Sequence, residues 1–424
     1  MIKRSFFGIT SPRLSYEVLE EAPGEPMAVM PAKRITLLID APLKKAGSLL
    51  VKPGDTVLAG QRLQLFENDP NHFAIVPLAG KVFSVEPFIG MMEKQMTAVL
   101  IDVDKSGEQA RDTSFSQTLK SAGIAQGAEF FKGLPGGPDF TVFSDSGKNI
   151  KTIAILGTES DLLGVTSQHV IGTNIASVKS GIDVIRKITG NHHILLFVHE
   201  QMSQVAGASG AGIKIVDMQY PSGSKEMIHT VLKSEPGREG DIAFFTAEAV
   251  ASLGAAVQSN ELPLEKLVTV VKKDGSRQVV KAPLGTHISD ILEAVRQGVE
   301  AMDKVIIGGP MTGNAAYSLD QPIVQDTDIL MVQDSSDITE IADTPCTNCG
   351  ACVRVCPVNV PVNILVRYLD AGQYEPASEE ADLFSCIECG LCTYVCESRI
   401  PILQFIALAK QAVQRLKAAE EENA

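Results

Sequence analysis

Eight cysteines constrain this chain more than any other feature of its sequence. All fall between Cys346 and Cys396, and none occurs among the first 345 residues. They form two runs, Cys346-Thr347-Asn348-Cys349-Gly350-Ala351-Cys352-Val353-Arg354-Val355-Cys356 and Cys386-Ile387-Glu388-Cys389-Gly390-Leu391-Cys392-Thr393-Tyr394-Val395-Cys396. Each reads C-x2-C-x2-C-x3-C. Three thiols spaced by two residues can face three corners of one iron–sulfur cube, while the fourth is carried off by the turn and reaches another cube. The spacing therefore predicts two 4Fe-4S clusters, one on Cys346, Cys349, Cys352 and Cys396, the other on Cys386, Cys389, Cys392 and Cys356. Gly350 and Gly390 lie inside the loops, where the lack of a side chain lets backbone N–H groups approach sulfur. Four-cysteine zinc sites usually join two separate C-x2-C knuckles, so a pair of zinc ions is the weaker alternative. Pro357 follows the first run, whereas Glu397 stands after the second and Pro401 comes four residues later.

The segment between the runs, residues 357–385, is long for a compact two-cluster module. Residues 362–369 predict a short helix ending near Gly372. Beyond Pro401, the three- and four-residue spacing of Ile402, Phe405, Ile406, Ala409 and Val413 predicts an amphipathic helix. Residues 341–424 are thus expected to form a helical dicluster ferredoxin domain.

At 424 residues the chain should hold roughly two to four domains. A net charge of −14 argues against nucleic acid as a partner, which would require a basic face. No apolar run approaches the roughly 18 residues that span a bilayer, and Met1 to Phe7 lack the apolar core and cleavage site of an export signal. Neither a Gly-x-Ser-x-Gly elbow nor a metal-ligand spacing of the histidines offers hydrolytic chemistry. The expectation is electron transfer, with no membrane crossing.

Upstream, residues 51–61 read as strand, tight turn and strand, and residues 76–82 repeat that theme. Together they resemble the β-hybrid fold of biotinyl and lipoyl carriers, but Lys81 lacks the Met-Lys-Met setting of a modified lysine, so residues 30–104 are read as structural. A polar stretch at 105–108 separates them from an α/β region. There a strand over 152–156, a helix over 174–188 and a strand over 193–198 predict a parallel sheet. Ligands of such sheets bind beyond the strand C-termini, which places Gly157-Thr158-Glu159-Ser160-Asp161 at the candidate crevice. Its two carboxylates could equally be a helix cap and a solvated loop. Further on, 268–272 and 278–280 flank Asp274-Gly275 as a hairpin, and Ser289 is expected to cap a helix reaching about Arg296.

The order β-hybrid (1–104, with an N-terminal extension), α/β (105–258), β-grasp (259–340) and dicluster ferredoxin (341–424) resembles the C subunit of Rnf-type ion-translocating electron-transport complexes. Ile307-Gly308-Gly309-Pro310-Met311-Thr312-Gly313, Tyr220-Pro221-Ser222-Gly223 and Leu284-Gly285-Thr286 carry the likeness beside the cysteine runs. The resemblance implies an SLBB-like β-grasp and an α/β domain like the flavin- and NADH-binding subunit of respiratory complex I. It also implies a peripheral position on the inner, cytoplasmic face of the membrane. The implied partners are other subunits of the complex and ferredoxin or another electron carrier. The family's FMN site is altered here. Its Gly-Gly-Ala-Gly-Phe-Pro-Thr loop corresponds to residues 122–137, where Glu129, Phe130 and Phe131 are expected to obstruct a flavin phosphate. Its Glu-Cys-Glu-Pro-Tyr becomes Glu159-Ser160-Asp161-Leu162-Leu163, and its Gln-Asn-Val segment becomes Thr246-Ala247-Glu248-Ala249-Val250. An electron relay without FMN or NADH is therefore expected. The alternatives are an NADH-oxidising subunit with FMN in a changed loop, and a scaffold for a redox complex.

Overall fold

The computed structural model describes residues 13–19, 24–43, 49–67, 69, 71–104, 110–235, 240–341 and 344–423. The chain is a mixed α/β protein of several bodies. In the first, Arg34–Ile39, Gln95–Val103, Gly80–Ile89 and Thr56–Val57 pair in that order as an antiparallel sheet, beside a hairpin of Arg62–Gln64 and Phe73–Ile75. Period-two alternation sends Ile35, Leu37, Ile39, Val99 and Ile101 inward onto Leu63, Leu65 and Val76. The strand expected before the 53–54 turn is absent. Pro53 has no N–H to give a ladder, and the N–H of Lys52 goes to the Asp55 carboxylate at 2.8 Å. Lys81 sits within a strand, opposite Asp102, and not on a hairpin tip. The polar stretch at 105–108 lies outside the described residues.

The second body is a parallel sheet in the order Gly212–Val216, Ile194–His199, Ile150–Leu156, Asp241–Thr246. Helices Ile175–Thr189 and Ala247–Ser259 cover the face carrying Ile153, Ile155, Leu196 and Val198. Helix Lys225–Ser234 covers the opposite face through Ile228 and Leu232 on Ala154, Leu195 and Phe197. Burial on both faces is why Ile194–His199 reads as an unbroken apolar run. The strand order reverses at Ile150–Leu156: the chain continues to one side of it, while Asp241–Thr246 joins on the other. That puts residues 157–161 at the switch-point crevice.

The third body is a six-stranded mixed sheet built on the Glu265–Val271 and Arg277–Pro283 hairpin, with helix Ile288–Ala294 packed on it. Ser289 does not cap that helix. His287 holds the cap position, and the N–H groups of Ile288 and Ser289 donate to the carbonyls of Gln321 and Leu319 at 3.0 and 2.9 Å. A neighbouring segment thus satisfies the donors a side-chain cap would have taken. The helix ends at Ala294, two residues before Arg296, which adopts φ +57°.

Helices Val362–Asp370, Tyr374–Glu380 and Ile402–Asn423 form the fourth body around Leu365, Val366, Leu383, Ile406 and Ala409. The early chain laces these bodies together. Met27–Ala28 adds a strand to the third sheet. Tyr16 N–H donates to the Met218 carbonyl, and Tyr220 N–H donates to the Leu14 carbonyl.

Candidate iron–sulfur site

The two cysteine runs fold alike, forty residues apart. Left-handed backbone recurs at Asn348 and Glu388, Gly350 and Gly390, Asn359 and Arg399, with φ of 57° and 54°, 71° and 75°, 58° and 53°. Short helices Ala351–Val355 and Leu391–Tyr394 follow the glycines. The match runs on through Val360-Pro361-Val362 and Ile400-Pro401-Ile402, each opening a longer helix. Pro401 is therefore the counterpart of Pro361, not a displaced Pro357. This duplication was visible in the flanks of the motifs, which the spacing of the cysteines alone does not examine.

A small cavity is lined by Cys386, Cys389, Cys392 and Cys356, with Val358, Val362, Leu391 and Leu403 completing its wall. Three thiols of the second run thus meet the last thiol of the first. Cys346 and Cys349 lie close enough to Cys352 to act on its thiol electrostatically. The segments flanking Cys346 and Cys396 are tied together: Thr344 donates to the Ser398 carbonyl at 2.9 Å, and Ser398 donates to the Pro345 carbonyl. Among the described residues no His, Cys, Asp and Glu group forms a single-ion cage; a cube offers each thiolate its own iron.

Burial pushes the thiols of Cys352 and Cys389 up to about 11, and Cys392 higher still. An apolar pocket disfavours a bare thiolate, and iron would reverse that by supplying the local positive charge. Backbone donors already point at sulfur: Val360 N–H lies 3.3 Å from Cys356 Sγ and Glu388 N–H 3.4 Å from Cys386 Sγ. The donor set, the shared cavity and these N–H groups fit a cluster.

The two loops differ in setting. Cys349 is exposed, whereas Cys392 is buried. A methyl group on Gly390 would stand 2.4 Å from the Met311 carbonyl, so the second loop presses on the body carrying residues 307–313. Tyr220 donates its hydroxyl to the Cys389 carbonyl at 2.7 Å. A cavity of about 810 Å³ runs beside Cys386, between Lys225, His229 and Phe244 on one wall and Phe384 and Ile387 on the other.

At the α/β crevice the carboxylates are engaged by protein donors. Asp161, 1% exposed, accepts from Thr312 N–H at 2.7 Å, Thr312 hydroxyl at 2.6 Å, Met311 N–H at 3.2 Å and Leu162 N–H at 2.6 Å. It is a buried tie and not a solvated loop residue. Glu159 accepts the Gln168 N–H at 3.1 Å, early in helix Thr166–Thr173, and burial raises its carboxyl to about 8. Glu248 accepts from Lys266 and from Leu267 N–H, and Lys266 also reaches Asp328 at 2.6 Å. Above the start of helix Ala247–Ser259 lies Gly136, where an added methyl would meet Ala249 N at 2.5 Å. Phe130 and Phe131 are not the obstruction expected of them. Both are core residues packed with Phe115, and Glu129 faces outward to Arg62.

Residues 345–400 match the 4Fe-4S dicluster domain family. Three curated relatives are each named as the C subunit of an ion-translocating oxidoreductase complex. The Citrobacter koseri protein is 27% identical over 395 residues, covering 85% of this chain and 55% of its own. Those of Klebsiella pneumoniae and Actinobacillus succinogenes are each 26% identical, covering 85% and 79% of this chain and 51% of theirs. The chain is a homologue of these C subunits. It spans about half the length of the curated relatives it matches. Among solved structures, a chain of an NAD+-reducing nickel–iron hydrogenase in its H2-reduced state aligns with a TM-score of 0.42 and 13% identity, over 64% of this chain and 55% of that one. No described helix of this C-subunit homologue is long and apolar enough to cross a membrane.

Proposed function

We propose that this chain is the iron–sulfur electron-transfer subunit of an ion-translocating oxidoreductase complex, passing single electrons through two 4Fe-4S clusters. One observation carries the reading: the cavity shared by Cys386, Cys389, Cys392 and Cys356, which pairs the end of one run with the start of the other. Cys346, Cys349, Cys352 and Cys396 hold the second cluster in this reading, and the Thr344–Ser398 bond supports it. The upstream bodies serve as β-hybrid, complex I-like α/β and β-grasp domains that dock the ferredoxin domain to its partners. Those partners are the other subunits at the inner face of the membrane and ferredoxin or a similar carrier.

The same reading leaves out flavin. A phosphate cradle needs free backbone amides at a helix start. Here Gly136 covers Ala249, Thr246 accepts the Ala249 N–H at 3.1 Å, and Asp161 and Glu248 are engaged with protein donors. Anaerobic purification should yield about eight irons per chain, from two cubes of four, and no flavin on acid release. Four irons or fewer would remove the two-cluster relay. Stoichiometric FMN with NADH–ferricyanide activity would replace it by an NADH-oxidising subunit.

A further inference from the structure

We infer that Tyr220 and Lys410 are positioning residues that raise the reduction potential of the inner cluster, the one framed by Cys386, Cys389, Cys392 and Cys356, above that of the outer one. The inference rests on the two-cluster reading above.

Each residue donates to the carbonyl of a cysteine in the second run. Lys410 Nζ lies 2.7 Å from the Cys386 carbonyl, and the Tyr220 hydroxyl lies 2.7 Å from that of Cys389. Both donors are sheltered: the Lys410 side chain is 14% exposed and Tyr220 6%. A cluster gains a negative charge when reduced, so a cation and an aligned O–H dipole beside its ligand peptides favour the reduced form. Their burial limits screening by solvent. Lys410 also meets Glu388 at 2.7 Å, but that carboxylate is 43% exposed and offsets the cation only in part.

The repeat supplies an internal comparison. Shifted by forty residues, Cys389 corresponds to Cys349, whose carbonyl accepts from Arg354 at 3.0 Å on the exposed side of the domain. Lys410, the ninth residue of its helix, corresponds to Asp370, the ninth residue of Val362–Asp370 and exposed. The duplicated position thus carries opposite charge in the two halves. Tyr220 comes from the α/β body and reaches the second loop through this bond. Two similar cubes are thereby placed in different fields: a sheltered Lys410 and Tyr220 face the inner loop, whereas Arg354, replaced by Tyr394 in the second half, faces the outer loop from its exposed side.

The test is an anaerobic potentiometric titration of the full chain followed by EPR, on wild type, Tyr220→Phe, Lys410→Met and Lys410→Arg. Wild type should reduce in two resolved steps. Lys410→Met should move one step to more negative potential and leave the other in place. Tyr220→Phe should move the same step by a smaller amount, and Lys410→Arg should keep it near the wild-type value. Equal movement of both steps, no movement, or a positive shift in both Tyr220→Phe and Lys410→Met overturns the inference. Should Lys410→Met fail to retain iron, Tyr220→Phe decides alone, since it keeps the ring and its packing. A wild-type chain without eight irons, by contrast, defeats the two-cluster reading itself.

Discussion

Glu159 shows what burial does to a single carboxyl at the α/β crevice. It is 2% exposed, and desolvation is the chief cause of its carboxyl rising from 4.5 to about 8, with nearby Asp328 adding to it. The folded state therefore binds a proton that the unfolded chain has already released. The neutral form is the one the fold prefers, so stability should fall as pH rises from about 4.5 to about 8 on account of this group. Glu159→Gln keeps an oxygen for the Gln168 N–H and cannot ionise. Its denaturant midpoint, followed across that window, should gain on wild type steadily as pH increases; parallel curves would show that Glu159 does not titrate with unfolding. Lys266 shows the opposite solution to burial. Desolvation works against its charge, but Asp328 and Glu248 outweigh that and hold its pKa above the usual lysine value.

Among elements, the duplicated loop and helix offers a paired experiment. Gly350 and Gly390 share a left-handed φ, so alanine at either should cost about 1–2 kcal/mol from backbone strain. Beyond that they differ. Alanine at Gly350 meets only the flexible end of Arg354 at 3.2 Å, whereas at Gly390 it meets the Met311 carbonyl at 2.4 Å. Gly390→Ala should therefore lose about 1–3 kcal/mol more than Gly350→Ala in denaturant unfolding, as overpacked sites do. Equal losses would mean that the second loop does not press on residues 307–313. The elements with strong local signals are those the sequence announces: the 175–189 helix, the 150–156 and 194–199 strands, the Asp274-Gly275 hairpin and the terminal helix. Ser289 misleads because a cap residue signals only when its side chain does the capping. At that helix the carbonyls of Leu319 and Gln321, thirty residues away, take the donors. The strand expected at residue 51 fails for a local reason, since Asp55 turns the chain back onto Lys52 before pairing begins.

At the scale of the whole molecule, Asp161 is the joint between the α/β crevice and the body on which the second cysteine loop rests. Asp161→Ala would strand the half-buried N–H groups of Met311 and Thr312, at up to about 1–3 kcal/mol for each unsatisfied donor. We expect that variant to unfold at lower denaturant and to release the 307–313 segment to protease first. Asp161→Asn, which keeps one acceptor oxygen, should fall between it and wild type, and a variant indistinguishable from wild type would rule out the joint. The sequence by itself determined the cysteine ligand spacing, the helices around it and the alternation of strand and helix upstream. These are local patterns, written by chain periodicity and by the stereochemistry of a short loop. Only the tertiary structure decided what fills the crevice. Gly136 over Ala249, Lys266 between Glu248 and Asp328, and Asp161 on residues 311–312 join segments over sixty residues apart or brought together by packing. The bulk of Phe130 and Phe131 pointed to obstruction, yet hydrophobic burial drew them into the core. The cysteines of the two runs look alike in sequence. Their difference in burial, and in the donors that face them, arises from which side of the duplicated domain the rest of the protein covers.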